Sequence, residues 1–299
     1  MTEVVAPHAR AGLSRLARGC WIPTEQAEDL GARCAAALET SAEYTVVVAP
    51  TAARLHGFWL PDLPDVLHLA TAAPVVASSS MTRTRRAEFC AHRRQLPDED
   101  LMTMSGLVVT TPARTWRDLA GVVGLASLVA AGDSALRAGT SVDDLAGVVR
   151  RTARARFIRR ARSALPLLDG RSRSRPESHL RVAVSAPDLP RFEVNAAVSR
   201  STGGWLAEPD LSIEAAKLAL EYQGADHAEI TRMRRDLTRN TDMRREGWLC
   251  CLYGPAEVFG RPWEITAEVR AALARRAPHL LTPRRHRPRV VIQAASGHL

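Results

Sequence analysis

The sequence predicts a mixed α/β (α+β) protein in two parts, and three observations carry that expectation. Short β-branched runs alternate with capped helical stretches over residues 44–151. Residues 176–270 follow an αβββαβα rhythm. Between the two lies a run from Arg150 to Arg175 with ten arginines against one acid, Asp169. At 299 residues, 46% hydrophobic and 24% charged, the chain is long enough for one large or two ordinary domains. That composition excludes wholesale disorder.

The elements follow in order. Residues 1–40 predict a helix over Ala9–Arg18, an extended piece over Cys20–Pro23 and a second helix over Glu25–Glu39. In the body, residues 41–165, Tyr44–Ala49 reads as a strand and Thr51–Gly57 as a short helix with a glycine stop. Val66–Thr71, Ala87–Arg93 and Leu107–Thr111 are further strands. Thr111 and Pro112 open a helix as cap and first turn. That helix buries Trp116 and Leu119, and Leu125–Ala138 and Ser141–Arg151 follow as helices. The Arg/Ser stretch 166–175 reads as an exposed linker and domain boundary.

In the second part, residues 176–275, Pro176–Ser185 is helical and Arg191–Val198 a strand. Gly203-Gly204 makes a turn, Trp205–Ile213 is a second strand and Lys217–Gln223 a third. His227–Glu246 is a long helix stopped by Gly247, Trp248–Tyr253 a fourth strand, and a final helix begins at Ala256. Residues 276–299 form a basic tail.

Lysine plus arginine total 41 and acids 32, a net charge of +9 that favours a polyanionic partner. Lys217 is the single lysine and reads as a turn residue. No stretch approaches the ~18 apolar residues of a membrane span, and the N-terminus lacks the apolar core of a secretory signal, so a cytoplasmic protein without membrane contact is expected. The five cysteines show no C-x-x-C spacing and predict reduced, buried thiols rather than disulfides or zinc. His56, His68 and His92 are scattered and read as core or capping residues. Arg54, Arg114 and Arg117 read as exposed helix charges.

The third strand of the second part carries the chemistry. Leu218, Leu220 and Tyr222 share one face, while Ala219, Glu221 and Gln223 share the other. A hairpin turning near Glu214–Ala216 brings Asp210 close to Glu221. Two adjacent carboxylates repel unless a cation lies between them, and oxygen ligands suit Mg2+ or Mn2+. Such a metal activates water and neutralises charge on a phosphodiester. Glu177, on the opening helix, is a third candidate acid; His227, Arg235, Asp236, Arg239 and Asn240 follow the strand, with Asp236 and Arg239 on one helix face.

Pro209-Asp210, then Leu220-Glu221-Tyr222-Gln223-Gly224-Ala225-Asp226-His227, then Arg235-Asp236-Leu237-Thr238-Arg239 and Glu246-Gly247-Trp248 form an ordered string. It resembles the very-short-patch-repair-like endonuclease domains of the PD-(D/E)XK superfamily, with the restriction-endonuclease-like fold, over about residues 176–255. The resemblance implies Asp210 and Glu221 as Mg2+ or Mn2+ ligands, Glu177 as accessory acid and His227 near the scissile phosphate. It implies Asp236 and Arg239 as supports. Gln223 stands where the superfamily often has Lys and these relatives often have Asp; a Gln orients water but carries no charge. Arg171, Arg173, Arg175 and Arg235 are then candidate DNA contacts.

The first half has its own string: Arg15-Leu16-Ala17-Arg18-Gly19-Cys20-Trp21-Ile22-Pro23, Pro50–Gly57, and Gly106–Ala120 around Thr111-Pro112-Ala113-Arg114-Thr115-Trp116-Arg117-Asp118-Leu119. It resembles the AbiEi-type antitoxins of type IV toxin–antitoxin systems. In that family a winged helix-turn-helix precedes the body and binds operator DNA. Here only a reduced winged-helix remnant fits within residues 1–40. Three readings follow. One is a Mg2+-dependent DNA endonuclease or nicking enzyme. Another is a non-catalytic DNA-binding regulator of antitoxin type with a cognate toxin or defence-system partner. The last is a protein-interaction module with an incidental basic surface.

Overall fold

The computed structural model describes residues 12–17, 19–71, 89–93, 96–224 and 239–282. The chain divides into two compact units, Met1–Val182 and Ala183–Leu299. The division falls beyond the expected boundary at 166–175.

The first unit begins with a hairpin, β1 (Leu13–Ala17) against β2 (Cys20–Pro23). Residues 13–17 are strand, not the expected helix. Gly19 at φ +81° makes the tight turn, and pairing with β2 overrides the local helical pattern. Helix α1 (Leu30–Glu39) starts at Asp29, whose carboxylate accepts from Ala32 N–H.

The body is a five-stranded sheet in the order β5-β4-β3-β7-β6. Its strands are β3 (Thr45–Val47), β4 (Leu67–Thr71), β5 (Phe89–Arg93), β6 (Leu101–Met104) and β7 (Leu107–Thr110). β6 is not anticipated by the sequence pattern, for its four residues show no burial alternation. β4 pairs β3 antiparallel and β5 parallel. Val47, Leu67, Leu69, Phe89, Leu107 and Val109 pack with Cys20, Cys34 and Ala37 on one face. Val46, Val48, Ala49, Ala70 and Leu96 pack on the other. Helix α2 (Ala49–Leu55) follows β3.

A helical layer completes the unit: α3 (Pro112–Leu119), α4 (Leu125–Arg137), α5 (Val142–Arg151), α6 (Ile158–Ala164) and α7 (Arg175–Ala183), whose last residue opens the second unit. Thr111 caps α3, as the sequence reading expects, and Ser141 with Asp144 forms a capping box on α5. Trp116 and Leu119 are fully buried, and the Trp116 indole donates to Leu128 O at 2.9 Å. Gly132 lets α4 pass that close: a Cβ there would meet Trp116 Nε1 at 2.8 Å.

The Arg/Ser stretch packs part of its length into this unit and leaves Arg171 and Arg173 exposed. Ser172 is fully buried, Asp169 N–H donates to Asp133, and a Cβ on Gly170 would meet Leu136 at 3.1 Å.

The second unit holds a four-stranded sheet in the order β13-β12-β11-β8 and a separate hairpin of β9 with β10. The strands are β8 (Glu193–Val194), β9 (Val198–Ser199), β10 (Trp205–Ala207), β11 (Leu211–Ile213), β12 (Leu218–Tyr222) and β13 (Leu249–Tyr253). Each of the first two expected strands is broken in two. Asn195 at φ +46° interrupts one, and Pro209 cannot donate to a ladder in the other. Gly203 and Gly204, both at positive φ, turn the β9–β10 hairpin as expected. Lys217 at φ +44° closes the turn into β12. Residues 239–245 are helical and precede β13, and a final helix, α8 (Pro262–Arg276), follows. The mixed α/β expectation therefore holds. No helix among the described residues is long and apolar enough to cross a membrane.

Candidate functional site

The expected acidic site sits on β11 and β12. These strands pair antiparallel with Leu211 opposite Leu220, so the same register carries Asp210 opposite Glu221. Ala219, Met243 and Trp248 share a core cluster with β9 and β10 residues, which places the 239–245 helix over the Glu221 face. One turn before Met243, Arg239 reaches Glu221 and forms an ion pair. Both side chains are largely buried, at 30% and 12% exposed. The Asp210 carboxylate accepts from Tyr222 N–H at 2.8 Å. Gln223 is exposed, and its N–H donates to Tyr253 O. His227, Arg235 and Asp236 lie outside the described residues.

This donor set does not fit a divalent ion as it stands. A guanidinium already supplies the positive charge beside Glu221, and a backbone amide holds one Asp210 oxygen. Among the described residues, the ligand-type side chains of this sheet form no group of three within 4.8 Å of one another. Burial, and then the Glu221 charge, pushes the neighbouring Cys250 thiol up to about 11.

Glu177 belongs to the first unit and caps α7: its carboxylate accepts from Arg173 N–H at 2.7 Å and Ser174 Oγ at 2.9 Å. On the same helix Arg181 pairs with Asp133, which also accepts from Ser178 Oγ and Asp169 N–H. Burial outweighs these partners and pushes Asp133 up to about 6. Of the candidate DNA contacts, Arg171 is exposed and pairs with Asp169 at 2.9 Å, Arg173 is exposed and Arg175 is half-buried.

The first unit concentrates charge where the sequence suggests an ordinary surface. Arg114 and Arg117 are not exposed; they are buried in an ionic network. Asp118 takes Arg114 Nε at 3.1 Å and Arg117 at 2.8 Å, one on each carboxylate oxygen. Asp100 takes Arg114 at 2.5 Å and Arg151 at 2.6 Å. Full pairing is the physical condition for burying such groups. The network floors a cleft of about 1000 Å³ whose rim adds Arg154 and Arg156. Arg54 is also tied down, to Asp65 and to the Leu63 and Pro64 carbonyls.

One cluster escapes the sequence reading. His68, Cys90 and His92 come together on β4 and β5, with one ligand atom of each within 4.8 Å of the others. The signal was the pair Cys90 and His92, two apart in a strand and hence on one face. The expectation of buried thiols holds for Cys20, Cys34 and Cys251; Cys90 and Cys250 are half-exposed. His56 does act within the core, bonding Thr110 O at 2.8 Å.

The family model of the AbiEi antitoxin C-terminal domain matches residues 45–167, the stretch from β3 through the turn after α6. Two uncharacterized proteins of Mycobacterium tuberculosis, from strains CDC 1551 / Oshkosh and H37Rv, are each 27% identical over 266 residues. Those alignments cover 88% of this chain and 93% of each relative. No solved structure matches the chain. The AbiEi-like expectation is therefore met for the body of the first unit, and none of these matches bears on the nuclease resemblance.

Proposed function

We propose that this chain is an antitoxin-type regulator of a toxin–antitoxin pair that binds DNA without cutting it. The match of residues 45–167 to the AbiEi antitoxin C-terminal domain carries the reading. The charge supports it: a net +9 and the arginines at the rim of the cleft favour a polyanion. So does the second unit, where Glu221 is neutralised by Arg239 instead of standing ready for a cation. A cognate toxin is the protein partner this reading requires.

The test is a mobility-shift titration of the full chain with a duplex from upstream of its own gene and with a scrambled duplex, each at several salt concentrations. The expected result is binding that weakens steeply with salt, with no strand scission. Absence of any binding at low salt overturns the DNA-regulator reading.

A second reading, a Mg2+- or Mn2+-dependent endonuclease of the very-short-patch-repair-like type, rests on one observation, the register that sets Asp210 opposite Glu221. Plasmid incubation with Mg2+, Mn2+ or EDTA separates the two. Metal-dependent cutting that disappears in Glu221→Ala establishes the endonuclease.

A further inference from the structure

The cluster on β4 and β5 takes no part in either reading. The two strands are parallel neighbours in register, with His68 beside Cys90 and Ala70 beside His92. Alternation puts positions 68, 70, 90 and 92 on one face of the sheet. His68 is anchored by its backbone: its N–H donates to Thr51 Oγ1 at 2.8 Å and its carbonyl accepts from Val48 N–H at 3.0 Å. The three side chains are half-buried.

The ring nitrogens His68 Nδ1 and His92 Nε2 lie 2.9 Å apart, with the ring planes 19° from parallel and the centroids 5.1 Å apart, so the rings meet edge to edge. One nitrogen donates its proton to the other. Two imidazole nitrogens and one thiolate are donors matched to a borderline-soft ion and poorly matched to Mg2+ or Ca2+. A tetrahedral zinc with Zn–N bonds of about 2.0–2.1 Å holds two nitrogens about 3.3 Å apart. For an ion to bind both nitrogens the rings part by about 0.4 Å from the 2.9 Å spacing and turn so that both lone pairs point at it.

We propose that His68 Nδ1, Cys90 Sγ and His92 Nε2 form a zinc site, with a fourth coordination position open to water or an incoming ligand. Binding releases the Cys90 thiol proton to solvent, and the proton shared by the two rings moves to the far nitrogen of the ring that carried it, which stays neutral. Among the described residues β5 is the edge strand of its sheet, so the ion ties that edge to β4 and adds its binding energy to the folded state.

The full-length chain, purified under reducing conditions and stripped with EDTA, is titrated with Zn2+ and separately with Co2+. The expected result is one zinc per chain, a rise in melting temperature on loading, and a cobalt complex with a thiolate charge-transfer band and tetrahedral d–d absorption. Cys90→Ser abolishes the charge-transfer band and weakens zinc binding by more than about tenfold. His68→Gln and His92→Gln each weaken it comparably, with circular dichroism checking that the variants fold. Cys250→Ser, in the second unit, changes neither readout. Failure to take up zinc, a thiolate band that survives Cys90→Ser, or unchanged affinity in His68→Gln overturns the assignment.

Discussion

The charged groups of the first unit and those of the second are arranged on opposite principles. In the first, Asp100 and Asp118 are almost fully buried, and each carboxylate holds two arginines, one per oxygen. In the second, Glu221 pairs with Arg239 over β12, a strand flanked on both sides, and the guanidinium side chain stays 30% exposed. The same two chemical groups therefore do different work. A buried network cannot lose one member without stranding a charge, whereas a partly solvated pair recovers hydration when broken. The difference shows that a motif rich in arginine and aspartate is no guide to a surface site. Arg114, Arg117 and Asp118 are the ionic floor of a packed helix.

The largest expected effect probes that floor. Asp118→Ala leaves Arg114 and Arg117 facing each other in the interior and costs about 3–5 kcal/mol of unfolding free energy in a denaturant titration. A loss under about 1 kcal/mol would erase the contrast between the units.

Next comes pH. Burial, aided by the Arg175 charge, lowers His179 to about 4. A histidine held neutral contributes stability that is fully present above its ordinary value near 6.5 and lost as pH falls through about 4. Relative to His179→Gln, the wild type should lose on the order of 2 kcal/mol over that window, allowing for its partial solvation. Comparing the two chains cancels the opposite trend from Asp133, whose raised value favours the folded state as pH falls.

In the second unit, Arg239→Ala should cost less, about 1–2 kcal/mol, because Glu221 loses one partly exposed partner and no network is broken. It also vacates the charge beside Glu221, so calorimetry with Mn2+ checks whether the pair of acids then takes up an ion. Uptake in the variant and not in the wild type sharpens the comparison. The smallest effect belongs to Arg171→Ala at the exposed Asp169 pair, a few tenths of a kcal/mol in stability. If Arg171 touches a phosphate, the salt slope of DNA binding falls by about one.

Most elements were legible because their signals are local. Thr111-Pro112 and Ser141 cap helices by contacts three residues away. The β11–β12 hairpin was legible for the same reason: its turn at Glu214–Ala216 sets the register that carries Asp210 opposite Glu221. The opening hairpin was misread because residues 13–17 follow a pattern a helix also satisfies, and only the pairing with β2 decides. The buried contacts of Gly170 and Ser172 within the Arg/Ser stretch were not legible, because composition records charge and not neighbours. Gly170 packs on Leu136 of α4, more than thirty residues back, and Ser172 accepts from Arg181 of the adjoining α7. The same limit hid Arg239 as the partner of Glu221, since their meeting depends on the path of a helix over the sheet.

By itself, then, the sequence determined which residues share a strand face, where the helices opened by Thr111 and Ser141 begin, and that the protein is a basic, mixed α/β chain. The tertiary structure alone decided which faces meet. Periodicity reports the direction of a side chain and says nothing of the strand beside it. β4 and β5 are parallel neighbours separated along the chain, and only their pairing set His68 beside Cys90 and His92.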